Sequence, residues 1–328
     1  MKTTTLGTLT TSALGLGCMA MSGAYGASDR DEAIATVRAA LDAGITLLDT
    51  ADFYGMGHNE LLLGEALRSV PRDRYQLSVK FGGQLGPDTS WVGFDARPAA
   101  VKAAAAYSLQ RLGTDYIDIY RPARLDPAVP IEDTIGAIGE LVDAGYVRRI
   151  GLSEVGSETI RRAAAVRSIN DLQIEYSLVS RGIEHDILDT CRELGIGVTA
   201  YGVLARGLIG GHWTKSSGGQ GDFRTASPRF AGDNLDRNLA LVETLRGVAD
   251  ELGVTVAQAA IAWVISRGTD IVPLIGARNR TRLTEALGAA DLSLSEGQLG
   301  RIVAAVPTDE VAGDRYPAAQ MVVLDSER

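Results

Sequence analysis

Short apolar runs recur along this chain at intervals of roughly 25 to 40 residues, with one longer gap before the last, and at least one helix-like stretch separates each from the next. The runs fall at 13–18, 45–49, 75–81, 116–121, 147–153, 172–177, 197–202 and 270–276. Helical patterning occupies 29–43, 59–69, 98–112, 131–144, 157–166, 183–194, 237–252, 255–267, 280–287 and 295–305. Alternating βα units imply a parallel sheet covered by helices. Eight of them fit an α/β fold of the closed (β/α)8 TIM-barrel type, whose usual size is about 250 residues before insertions. A doubly wound open sheet is the competitor, but no G-x-G-x-x-G opens the first helix, where that fold places its phosphate turn. No stretch has linker composition, so 1–328 reads as one barrel domain. An N-terminal hairpin precedes the first strand, and a C-terminal helix and tail follow the last unit.

Composition narrows the function. Hydrophobic residues make up 45% of the chain, enough for a large core. The formal charge of −9 argues against a general nucleic-acid or acidic-membrane binder, while leaving room for a local basic pocket. Cys18, Cys191, His58, His185 and His212 do not fall at metal-ligand spacing, so neither a metal nor a disulfide framework is expected. The segment LGLGC superficially resembles a lipoprotein box. Only Lys2 charges the start, however, and the first dozen residues are rich in threonine, so the segment reads as a hairpin followed by the first strand. No run approaches the ~20 apolar residues of a membrane span, and a cytoplasmic protein is expected.

The stretch LLDTADFYGMGHNE, 47–60, carries Asp49, Asp52 and Tyr54 off the end of the second run, and Lys80 sits near the end of the third. Barrel active sites lie at the C-terminal strand ends, so these groups can converge. A free phenol of pKa ~10 is a poor acid at neutral pH. A lysine ammonium held by an aspartate would lower that value and make Tyr54 a proton donor to a developing alkoxide. A structural ion pair beside a packed tyrosine is the alternative reading. In VPLIGARNRTRLTEAL, 272–287, a strand meets a helix start with Arg278 and Arg282 one turn apart. Such a site suits a phosphate, and a solvated basic helix face is its alternative. Met21, Tyr25, Phe53 and Trp91 flank the strand ends and can wall a substrate pocket or simply pack at the rim.

The first motif, the strand ending in Lys80, DYIDIY at 115–120, GYVRRIGLSE at 145–154 and LIGARNRTRL at 274–283 together resemble the aldo-keto reductase superfamily over nearly the whole chain. The resemblance implies a (β/α)8 barrel that binds NADPH without a Rossmann domain. It implies Tyr54 as general acid with Lys80 and Asp49 as partners. Met19, Ser153, Gln173 and Tyr201 fall at nicotinamide-contacting positions. Gly202, Val203 and Leu204 begin the loop over the pyrophosphate. Gly276, Arg278 and Arg282 match the adenosine 2′-phosphate site, and Glu285 an adenine contact. Glu154 and Ala286 stand where asparagine is frequent.

One departure concerns the chemistry. The family's histidine, in a motif like Y-x-x-H-R-x-D-P, is replaced here by Ala123, within Tyr120 to Pro127. A subgroup resembling microbial pyridoxal reductases shows the same kind of change. An inward Arg121, a water in the vacated space or a reactive substrate could compensate. The expected activity is NADPH-dependent reduction of aldehydes, and by extension ketones, in a small-molecule pocket that Ala123 helps to line. A non-catalytic NADPH-binding regulator and a Schiff-base lyase using Lys80 are the rival readings.

Overall fold

The computed structural model describes residues 1–219 and 222–328. An antiparallel hairpin, β1 (Thr3–Leu6) and β2 (Leu9–Ser12), precedes the barrel. The first half of the barrel runs β3 (Gly15–Gly17), α1 (Arg30–Asp42), β4 (Leu47–Ala51), α2 (His58–Leu67) and β5 (Gln76–Phe81). A second hairpin, β6 (Gly83–Leu85) and β7 (Trp91–Phe94), interrupts it before α3 (Pro98–Leu112), β8 (Ile117–Pro122), α4 (Ile131–Asp143) and β9 (Val147–Ser153). Then follow α5 (Ser157–Val166), β10 (Ile169–Glu175), α6 (Ile187–Glu193), β11 (Gly197–Tyr201), α7 (Gly232–Glu251), α8 (Val256–Ile265), β12 (Ile271–Gly276) and α9 (Arg280–Leu287). Helices α10 (Glu296–Ala305) and α11 (Ala318–Met321) close the chain.

Eight strands form a closed parallel barrel in the order β10-β11-β12-β3-β4-β5-β8-β9, the expected (β/α)8 fold. Leu6 and Leu9 of the first hairpin pack with Leu47, Ile119 and Val272 and so plug the N-terminal end of the barrel. Cys18, in the segment that resembles a lipoprotein box, is fully buried beyond β3. Among the described residues, no single helix is long and apolar enough to cross a membrane.

Three differences from the expected boundaries have physical causes. β4 starts at Leu47 rather than 45, because the Ile45 amide donates to Ala40 O at 2.9 Å and thereby finishes the turn out of α1. Asp49 is therefore mid-strand, in register with Ser78 of β5 and Gly17 of β3. β10 begins at Ile169 rather than 172, although Asn170 and Asp171 look too polar for a buried strand. Asp171 accepts from Thr199 Oγ1 at 2.5 Å and pairs with Arg121 at 2.9 Å inside the barrel, which satisfies its charge. The hairpin β6–β7 falls between the third apolar run and the helical stretch at 98–112, where glycines hide the strand pattern. It is held by Trp91, whose ring meets Phe53 at 6.0 Å and Phe94 at 4.9 Å.

Candidate active site

The C-terminal end of the barrel opens into a cavity of about 710 Å³. At its floor Lys80 Nζ donates to Asp49 Oδ1 at 2.5 Å, and both side chains are buried. Ser78 Oγ and Gln173 Nε2 each donate to Asp49 Oδ2 at 2.7 Å. Three donors on one carboxylate fix its orientation and with it the lysine head. Burial pulls the Lys80 ammonium down from its ordinary value, and Asp49 opposes this.

Tyr54 stands on the turn after β4, with Lys80 Nζ 5.0 Å from its ring centroid. The expected lowering of the phenol does not occur. Burial pushes it well above its ordinary value, the Asp49 carboxylate adds to the rise, and the Arg124 guanidinium opposes it. Desolvation outweighs the neighbouring cation, so the phenol holds its proton at neutral pH, as a proton donor must. Asp52, two residues back, accepts weakly from Gly82 N at 3.3 Å, and its Oδ1 is buried without a partner. Burial lifts its carboxyl to about 7.

Most of the residues singled out in the sequence meet in this cavity. Asp49, Tyr54, Lys80 and Ala123 line its floor, and Tyr25, Phe53 and Trp91 its sides. Met19, Gln173, Tyr201, Gly202, Val203 and Leu204 line it as well. Gly202 has φ 64°, and a Cβ there would meet Glu175 Cγ at 3.0 Å, so the turn out of β11 needs glycine. Two residues fall outside. Met21 was expected to wall the pocket but lies in the apolar core between barrel and helices, because the short helix Met19–Ser22 turns its side chain inward. Ser153 is buried behind the wall, where its Oγ accepts from Arg124 Nη1 at 3.5 Å. Arg121 does point into the barrel, yet it stays below the cavity in its pair with Asp171.

At the far end, Gly276, Arg278, Arg282 and Glu285 line the same cavity. A Cβ on Gly276 would meet nothing within 4 Å, so open space lies against the strand end. Arg278 Nη1 donates to Tyr25 O at 3.0 Å, and Arg282 Nη1 donates to Glu285 Oε2 at 2.9 Å. Glu285 also contacts His212 Nε2 at 3.0 Å. Asn279 caps α9 by accepting from the Arg282 amide at 2.9 Å. This open space, its two arginines and a helix start fit the phosphate end of a nicotinamide dinucleotide, with Tyr201 at the other end.

The C-terminal segment completes the enclosure, and sequence reasoning did not flag it. Glu154, in a left-handed backbone conformation at φ 54°, is buried and bound by Arg315 through Nη1–Oε1 at 2.9 Å and Nη2–Oε2 at 2.6 Å. Ser326 Oγ donates to Glu154 at 2.7 Å, and Asp325 accepts from Gly156 N at 2.9 Å. Burial alone would raise the Glu154 carboxyl; Arg315 overrides it and brings it down to about 2. This clasp sets Tyr316 in the cavity wall, where its hydroxyl shares a hydrogen bond with Tyr201 at 2.9 Å. Arg206 and Arg224 enter from the long loop after β11, each against a carboxylate, Glu175 at 3.0 Å and Asp222 at 2.6 Å. Arg124 was legible as a neighbour of Ala123 at a strand end, where barrel enzymes place functional groups. Tyr316 offered only one signal, being the lone aromatic of the tail.

The profile of the Aldo/keto reductase family matches residues 13–307. The chain belongs to that family. It is 42% identical over 308 residues to the "Probable aldo-keto reductase 1" of Glycine max, covering 93% of this chain and 88% of that protein. Among solved structures it is similar to a glycerol dehydrogenase of Gluconobacter oxydans, at 28% identity and TM-score 0.84 over 93% of this chain and 96% of that one. It is also similar to an aldo-keto reductase of Bacillus halodurans in its holo form, at 27% identity and TM-score 0.77 over 94% and 97% of the two chains. Aldo-keto reductases are oxidoreductases that use nicotinamide cofactors on small carbonyl compounds, and the (β/α)8 barrel here is theirs.

Proposed function

We propose that this protein reduces aldehydes, and by extension ketones, to alcohols with NADPH, and that Tyr54 donates the proton. The observation that carries the reading is the meeting of Tyr54, Lys80 and Asp49 at the floor of one cavity whose far end holds Arg278 and Arg282. When bound, the nicotinamide cofactor supplies the hydride. Tyr201 would pack against its ring, Met19 and Gln173 would flank it, and Gly202, Val203 and Leu204 would cover its pyrophosphate. Ser153, whose hydroxyl hydrogen stays free while its oxygen accepts from Arg124, would donate to its carboxamide. Tyr54, its phenol protonated, meets the carbonyl oxygen and releases its proton as charge develops there. Lys80, fixed by Asp49, stabilises the phenolate that remains. Ala123 supplies no imidazole donor to that oxygen, which supports the pyridoxal reductase-like reading and a preference for electrophilic aldehydes.

The test is NADPH oxidation across a carbonyl panel that includes an electron-poor aromatic aldehyde and a dialkyl ketone. The aldehyde is expected to be the better substrate. Tyr54→Phe should lower kcat by ~10²–10⁴ while NADPH binding, followed by fluorescence, stays nearly intact. Most of the activity surviving in a folded Tyr54→Phe protein would place the acid elsewhere.

A further inference from the structure

Among the described residues, Arg124 and Arg278 are the two cavity arginines that contact no carboxylate, and Arg278 is tied to the backbone oxygens of Tyr25 and Ala27 at the β12 end. Lys80, Arg206, Arg224 and Arg282 each contact a carboxylate, at 2.5, 3.0, 2.6 and 2.9 Å. Arg124 contacts only neutral oxygens: Nη1 donates to Ala123 O at 2.7 Å and to Ser153 Oγ at 3.5 Å, and Nη2 donates to Tyr316 OH at 3.3 Å. Glu154 is close enough to act on it, but Arg315 already binds Glu154 through both nitrogens. A largely enclosed guanidinium without a counter-charge is costly, and an anion supplied from outside removes that cost.

Its position says where such an anion would sit. Arg124 follows Ala123 at the end of β8, lines the cavity floor with Tyr54, and lies at the opposite end from Arg278 and Arg282. The phosphates of a dinucleotide bound at the β12 end therefore do not account for it. Arg206 lines the same cavity, its Cζ is 4.3 Å from the Tyr316 ring centroid, and its buried Nη1 has no hydrogen-bond partner. Its charge is opposed by Glu175, which also pairs with Arg229 at 3.4 Å and lies 3.6 Å from Arg315, so positive charge is left over at this end of the cavity, enough to bind a carboxylate. Phe53, Trp91 and Phe94 supply an aromatic wall to the same space.

We propose that the pocket selects carbonyl substrates that carry a carboxylate on an aromatic or apolar body, and that Arg124 is the residue that binds that carboxylate. A planar guanidinium and a carboxylate match in geometry as well as charge. The proposal rests on the reductase reading above and names its substrate class.

The experiment compares 4-formylbenzoate with its neutral isostere 4-formylbenzamide, and separately measures binding of benzoate and benzamide to the NADPH-loaded protein by calorimetry. The wild-type protein should favour 4-formylbenzoate by at least tenfold in kcat/KM, mainly through KM, and should bind benzoate more tightly than benzamide. In Arg124→Met both preferences should fall to about one, and Arg124→Lys should restore part of them. Circular dichroism and Tm establish that the variants fold. Equal use and equal binding of the two partners by the wild-type protein would overturn the proposal, as would a full preference kept by Arg124→Met. If neither aldehyde is reduced but benzoate binds through Arg124, the reductase reading fails and the carboxylate site stands. If both are reduced equally, the reverse holds.

Discussion

Asp52 shows how a single side chain can work against the fold beside its active site. Its Oδ1 is buried without a partner among the described residues, and burial lifts its carboxyl to about 7. The folded chain therefore keeps a proton that the unfolded chain loses from about pH 4 upward, so this group's contribution to stability declines between about pH 4 and 7 and is level above that. Three units at 1.36 kcal/mol each would be an upper bound, because the side chain is partly exposed. We expect Asp52→Asn to gain about 1–3 kcal/mol relative to wild type between pH 4 and pH 8. Urea unfolding at both pH values measures it, and a pH-independent difference would rule this account out. Tyr54 illustrates the same physics in a useful direction. The residue types Asp49, Tyr54 and Lys80 and their convergence at one end of the barrel were legible in the sequence, although Asp49 lies mid-strand and not at a strand end. The sense of the phenol's shift was not, because it depends on how much protein covers the ring.

Among the elements, the turn from β12 into α9 was readable almost in full. A strand, Gly276, an Asn279 cap and two arginines one turn apart are local features, and the structure keeps them together at the cavity end. Arg278 is tied only to backbone oxygens of Tyr25 and Ala27, whereas Arg282 already has Glu285. Arg278 is thus the freer of the two to meet a 2′-phosphate. Arg278→Ala should weaken NADPH by roughly 10- to 100-fold, the worth of a charge-assisted contact of ~1.5–3 kcal/mol, and change NADH little. Fluorescence titration with both cofactors tests it, and equal losses would mean that the arginine does not read the phosphate. β10 was less legible. Its polar start, Asn170 and Asp171, reads as loop until Arg121 and Thr199 arrive from other strands to pair with it.

For the molecule as a whole, the C-terminal segment matters most. Among the described residues, its charged anchor inside the barrel is Arg315, which pairs with Glu154 at 2.6 Å and lies 3.6 Å from Glu175, all three side chains being buried. Removing one partner strands the other charge, which typically costs ~3–5 kcal/mol. Arg315→Met should therefore lower stability by about that amount and free residues 312–328 to exchange their amide hydrogens faster, while the β strands stay protected. Hydrogen exchange by mass spectrometry resolves the two regions. A tail that exchanges as in the wild type would show that Tyr316 and its neighbours hold it without the ion pair.

The barrel was legible because its cause is local and repetitive: eight apolar runs separated by helical stretches leave few alternatives once each must be covered by a helix. The candidate catalytic residue types and the β12–α9 turn were legible for the same reason, since each lies within one short stretch. Contacts between residues far apart in sequence were decided only by closure of the barrel. Met21 turned into the core, Arg121 found Asp171, Glu154 found Arg315 across 161 positions, and Tyr316 arrived beside Tyr201. Charge pairing and desolvation depend on which side chains are within a few ångströms, and no spacing along the chain encodes that. It is also why Arg124, marked in the sequence only as the neighbour of Ala123, is left in the folded protein bound, among the described residues, to neutral oxygens alone.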